Sequence, residues 1–199
     1  MNLPETHKWK IVLPVCDELS GEWRFEEVVR IFHRWIREER LQPLLIDVAD
    51  YTHMWRGPGI KLVAHEANYS LGTHHGRLGL AYQRKRPPVG ATSSPLAVAV
   101  RDTLEAARLL EQELPALRFS PSEVVVSVLD RLRAPNDATT QDAIAGALNP
   151  VFCELFSGPV GVRADAQADA RQPLTVHVRS PGLDRLRVPA TWLTGSAGV

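Results

Sequence analysis

The chain has 199 residues, room for one large domain or two small ones, and its 44% hydrophobic and 23% charged content is that of an ordinary globular protein. Lys plus Arg and Asp plus Glu stand at 23 each, so the formal net charge is zero. That balance argues against a general binder of nucleic acid or acidic membranes, which needs a basic excess, and it weakens the repulsion that keeps copies apart.

The N-terminus MNLPETHKWK lacks the apolar core of a signal peptide, and no apolar run approaches the roughly 18 residues of a membrane span. A cytoplasmic location is therefore expected. Cys16 and Cys153 sit in apolar patterns with no CxxC, which reads as two buried, reduced thiols.

Lys10–Cys16 alternates Ile11, Leu13 and Val15 against Val12 and Pro14 and predicts a strand, with Pro14 at a sheet edge or a strand end. Residues 22–39 predict a helix: Phe25, Val28, Val29, Phe32, Trp35 and Ile36 form one stripe, with Ser20 or Gly21 as the cap. The continuous apolar run Leu44–Val48 predicts a strand buried on both faces. After the loop Asp50–Gly59, residues 60–84 predict a hairpin with a long or bulged tip around Gly72–Gly76. The histidine pair His74-His75 reads as its solvated tip.

Arg84–Thr92 is a basic, proline-containing connector. Ser94 as cap and Pro95 in the first turn start a helix that runs to about Leu114, with Arg101 and Glu105 as an i,i+4 pair. Val124–Leu129 predicts a strand and 138–157 a helix, with a kink or break at Asn149-Pro150. Residues 160–165 and 173–179 predict two last strands, and a weakly ordered tail is expected from Ser180 onward. Residues 10–179 thus predict a single α+β domain between an N-terminal extension and the tail. Its sheet is mixed and largely antiparallel, with six to seven strands and three helices mainly on one face. Strand, helix and two strands occur at 10–66 and again at 123–179, which leaves a βαββ pseudo-repeat open, although the residues themselves match poorly.

Residues 47–86 concentrate the unusual chemistry, including four of the seven histidines. Asp47, Asp50, His53 and His65 are metal-ligand types, but their spacing is poor, and His65-Glu66-Ala67-Asn68-Tyr69 is not an HExxH helix. Neighbouring side chains on a strand face apart, so His65 and Glu66 are not expected to share one metal. Asp50, His65 and Glu66 are the candidates for acid–base catalysis, with Glu66 set against the alternative that it pairs with Arg77 or Arg84 across the hairpin. Gly57-Pro58-Gly59 leads into a strand, so the helix N-terminus of a phosphate loop is missing. Trp9, Trp55 and Trp192 fall outside the core stripes and suggest contact surfaces.

Leu45-Ile-Asp-Val-Ala-Asp-Tyr51, Gly57-Pro-Gly59, His65-Glu-Ala-Asn-Tyr69, Gly76-Arg-Leu-Gly79 and Tyr82-x-Arg-Lys85, with Phe32-His-Arg-Trp-Ile36 and Asp130-Arg-Leu-x-Ala-Pro-Asn136, resemble a family of uncharacterised bacterial proteins of about this length. The resemblance spans roughly residues 10–180 and implies a bacterial protein with no assigned mechanism.

The expectation is a module that binds a protein partner or itself through the 47–86 surface, with Tyr51, His53, Trp55, Arg56, Tyr69, Arg77, Tyr82 and Arg84 as binding residues. No cofactor is expected. The alternative is a hydrolase, metal-dependent or not, using Asp50, His53, His65 and Glu66. A weaker alternative is RNA binding through Arg77, Tyr82, Arg84, Lys85 and Arg86.

Overall fold

The computed structural model describes residues 6–16, 20–42, 44–87, 94–164, 169 and 171–180. Most of the expected tail, with Trp192, and part of the connector lie outside the described residues. In chain order the elements are β1 (Trp9–Pro14), α1 (Phe25–Glu38), β2 (Leu45–Asp50), β3 (Ile60–Ala64), β4 (Ala67–His74), β5 (Arg77–Arg84), α2 (Pro95–Glu113), β6 (Glu123–Val128), α3 (Ala138–Phe156), β7 (Gly161–Ala164) and β8 (Leu174–Arg179). This is an α+β fold with one eight-stranded sheet in the order β2-β3-β4-β5-β1-β6-β8-β7. Every neighbouring pair is antiparallel.

The helices begin where local chemistry favours them. Glu27 Oε2 accepts from the Arg24 amide at 2.8 Å, so the cap of α1 is Arg24 and not Ser20 or Gly21. Ser94 Oγ accepts from Ala97 N at the start of α2, with Pro95 in the first turn. Asp137 caps α3. That helix runs on through Pro150, which lies on its exposed side, as does Gly146, whose carbonyl loses a partner; water can serve it there. Among the described residues no helix is long and apolar enough to cross a membrane.

Alternation along the strands sends one set of side chains under the helices. Ile11, Leu13, Ile60, Leu62, Tyr69, Leu71, Leu80, Tyr82, Val124, Val126, Val176 and Val178 belong to the main core. Helix α1 packs on β2 and β3, α2 on β1 and β5, and α3 on β7 and β8. Trp9, expected near the surface, is in this core, with Nε1 donating to Thr6 O. Among the described residues the opposite face of the sheet carries a small buried apolar cluster, Val12, Ala81 and Val125.

The structure revises several expectations. Residues 60–84 form three strands, because His65-Glu66 and His75-Gly76 each make a tight turn. The apolar run at 44–48 belongs to an edge strand, with Leu44 and Ile46 exposed, and not to a strand buried on both faces. A bulge between Leu45 and Asp47 breaks its register with β3. Of the two places expected for Pro14, the structure gives the strand end: it closes β1, which lies inside the sheet. Arg101 bonds Asp102 and not Glu105. Both cysteines are free, and half-buried where burial was expected.

The topology contains the pseudo-repeat. In β1-α1-β2-β3 the third strand runs antiparallel and the second parallel to the first. The same holds for β6-α3-β7-β8, where the spatial order is β6-β8-β7. The β4–β5 hairpin is inserted between β1 and β3 in the first unit, and the two units meet through the β1–β6 pair.

Candidate functional site

The segment 47–86 supplies three separate places: an interior network, an exposed edge and a recess on the face that the helices leave open.

The interior network lies under α2. Arg84 is on the helix-covered face of β5, and its side chain is only 2% exposed. It donates to Tyr82 Oη at 2.9 Å, to Glu66 Oε2 at 2.7 Å and to Arg86 O at 2.8 Å. Tyr82 Oη donates to Asp102 Oδ2 at 3.2 Å, and Arg101 holds the other Asp102 oxygen. The Tyr69 ring meets Tyr82 edge to face at 5.2 Å, and its hydroxyl donates to Gln42 O. Burial raises the Asp102 carboxyl, while Arg101, Tyr82 and Arg84 draw it back down. Burial, then Asp102, raises the Tyr82 phenol. Tyr69, Tyr82 and Arg84 are therefore interior residues, which removes them from any outer binding surface. Glu66 takes the structural pairing with Arg84.

The exposed edge begins at β2. Asp50 Oδ1 accepts from the amide and hydroxyl of Thr52 at 2.8 and 2.7 Å, which lowers its carboxyl pKa and starts the loop. Two successive turns follow, Met54 N to Tyr51 O and Gly57 N to Met54 O. Arg56 sits at φ 59°. The large exposed hydrophobics among the described residues are Leu44 (67%), Ile46 (53%), Met54 (50%), Trp55 (90%) and Leu132, and all but Leu132 fall within 44–55. Tyr51 is half-buried and His53 exposed on the same loop.

The recess faces the other way. Its volume is about 260 Å³. Its walls include Lys10 of β1, Lys61 of β3, Asn68, Ser70 and His74 of β4, and Gln83 of β5. Arg56 and Pro58 reach it from the loop. The loop can do this because Gly72 has no side chain: a Cβ there would overlap the Pro58 carbonyl, and one on Gly59 (φ 72°) would meet the backbone of Leu71 and Gly72.

His74 is buried, and not the solvated tip that its sequence suggests. Its Nε2 lies 3.3 Å from Ser70 O and 3.4 Å from Ser70 Oγ. A carbonyl only accepts, so Nε2 carries the proton and cannot act as a base toward Ser70. Burial, then the charge of Lys10, brings this imidazole down to about 4, so it is neutral at pH 7. Serine and histidine thus form a polar wall here, not a nucleophile–base pair.

The hydrolase constellation disperses. Asp47 Oδ1 accepts from the Val48 amide, and Asp50 is spent on its turn. His65 Nε2 accepts from Arg86 at 2.6 Å. His65 and Glu66 occupy a turn and not a strand, yet still reach different partners. Among the described residues no group of three or more His, Cys, Asp or Glu side chains is placed to hold a metal ion. The basic residues of 77–86 disperse likewise: Arg77 pairs with Glu123 at 2.7 Å, and Lys85 Nζ donates to Ala64 O.

Reading the sequence for motifs misses Lys10, Lys61, Asn68, Ser70, Gln83 and Asp102. Outward alternation from Lys10, and in β4 and β5, is the signal that groups the first five. Asp102 leaves no signal, being a lone acid on a helix. No protein family model matches the chain, and no curated protein and no solved structure matches it.

Two outcomes follow from these environments. Arg84→Met should destabilise the fold by about 3–5 kcal/mol, the cost of breaking a buried ion network, and adding Asp102→Asn should recover part of it; urea denaturation of the single and double variants measures both. His74 has a depressed pKa in the folded chain, so the unfolded chain binds more protons between pH 6.5 and about 4. Stability should therefore fall as pH drops through that window, by on the order of 2–3 kcal/mol, and His74→Gln should remove that part of the slope in pH-dependent denaturation.

Proposed function

We propose that the protein is a self-associating binding module whose contact surface is the edge formed by residues 44–56, with a second copy of the chain as its partner. Leu44 and Ile46 at the β2 edge, with Met54 and Trp55 in the loop that continues from β2, are exposed large hydrophobics within twelve residues, and they carry this reading. Contiguous exposed apolar side chains mark interaction sites, and tryptophan is enriched among residues that dominate binding energy.

The chemistry around the patch suits a like partner. The formal net charge is zero, so two copies meet without net repulsion. The contact works through side chains and not by strand addition: the bulge in β2 and the Val48 amide occupied by Asp47 both interrupt the edge. Tyr51, His53 and Arg56 flank the anchors.

Light scattering and sedimentation across a concentration series test the reading. A dimer is expected, and Trp55→Ala should weaken it about 30-fold, corresponding to roughly 2 kcal/mol at an interface hot spot. Ile46→Lys should give folded monomers whose thermal melt no longer depends on protein concentration. A monomer at every concentration, or a dimer indifferent to both substitutions, overturns it.

A further inference from the structure

The recess on the open sheet face has a chemistry of its own, apart from the exposed apolar side chains of the 44–56 edge. Lys10, Lys61 and Arg56 bring three cations to it, and no carboxylate is among the described residues that line it. A cation that loses water in such a site is destabilised, as the desolvation that lowers the Lys10 pKa shows, and a bound anion relieves that cost. Lys10 adds weight, because among the described residues no hydrogen bond or ion pair holds its amine, and desolvation by burial lowers its pKa.

A second, independent observation concerns Asn68. Its Oδ1 is buried without any hydrogen-bond partner. An unmet buried acceptor costs roughly 1–3 kcal/mol, and a turn of the Asn68 amide toward a ligand O–H in the recess removes that cost. Ser70, Gln83 and the neutral His74 add further polar contacts beside it.

Size and composition narrow the class. About 260 Å³ holds roughly nine waters at about 30 Å³ each, so a ligand of about that many heavy atoms fits. No Phe, Tyr or Trp side chain lines the recess, and a nucleotide has more than twice the roughly nine heavy atoms that its volume holds.

We propose that this recess binds a small, hydroxylated aliphatic anion, a phosphate monoester or a carboxylate, with its anionic oxygens among Lys10, Lys61 and Arg56 and its hydroxyl donating to Asn68 Oδ1. The floor of Ser70 and Ala81 is small enough to admit it, and Pro58, held over Gly72, closes one side.

The experiment is an NMR titration of the full chain with glycerol 3-phosphate, glycerate and propyl phosphate, reading the side-chain amides of Asn68 and Gln83 and the Ser70 amide. Glycerol 3-phosphate or glycerate should shift these resonances with saturation below about 10 mM. Saturation by the first alone assigns a phosphate, and by the second alone a carboxylate. Lys10→Gln and Lys61→Gln should each weaken binding at least tenfold while the remaining amide spectrum stays folded. Asn68→Ala should abolish the preference for glycerol 3-phosphate over propyl phosphate. No shift with any probe, shifts that survive in the Lys10→Gln/Lys61→Gln double variant, or saturation of the unaltered chain by propyl phosphate at the same concentrations as by glycerol 3-phosphate overturns the proposal. The edge variants leave Lys10, Lys61 and Asn68 in place, so dimerisation and anion binding fail separately.

Discussion

The backbone approach of Pro58 and Gly59 to Gly72 decides where the rest of the 47–86 segment goes. Neither glycine has room for a Cβ. Their contact continues the β3–β4 pairing beyond Ile60–Leu71 and turns the preceding loop back over the sheet. One short loop then serves two surfaces. Arg56 reaches the recess, while the adjacent Trp55 stands out beside the β2 edge. The left-handed backbone at Arg56, uncommon for a residue with a side chain, is part of how neighbours in sequence come to point to different places.

Alternation along β4 and β5 makes the second division. Tyr69, Tyr82 and Arg84 turn inward to α2, where Asp102 meets them. Ser70, Ala81 and Gln83 turn outward to the recess. A buried arginine held by a tyrosine, a carboxylate and a backbone carbonyl adds little to stability over a well-packed apolar residue, but it leaves α2 few other positions on the sheet. Two strands thereby fix the helix on one face and shape a polar hollow on the other.

Much of the fold is legible in the sequence because helix stripes and caps are strong local signals: the α1 stripe and the Ser94-Pro95 start of α2 are both found in the structure. β4 is hard to see in the sequence because its outward residues, Asn68, Ser70, Gly72 and His74, resemble a loop once the strand lies with one polar face. The place of β2 is not legible because an apolar run looks the same at an edge as in a sheet centre; only strand order tells them apart. The candidate site was legible as a segment and not as a set of partners. The pairing of Glu66 with Arg84 is one of the two that the hairpin offers in the sequence, whereas His65 with Arg86 is a contact that spacing does not single out. The recess draws Lys10 from β1, far from the segment in sequence and beside β5 only through sheet order.

The central claim is that residues 51–59 are pinned to β4 by the Gly59–Gly72 contact, on which both surfaces depend. The nuclear Overhauser effect between the α-protons of Gly59 and Gly72 in the unmodified chain measures it directly. A strong cross-peak, comparable to those between paired strand residues, is the predicted result. Its absence, with the β3–β4 cross-peaks around Leu62 and Tyr69 intact, would contradict the account, because the loop would then leave both the recess and the edge unformed.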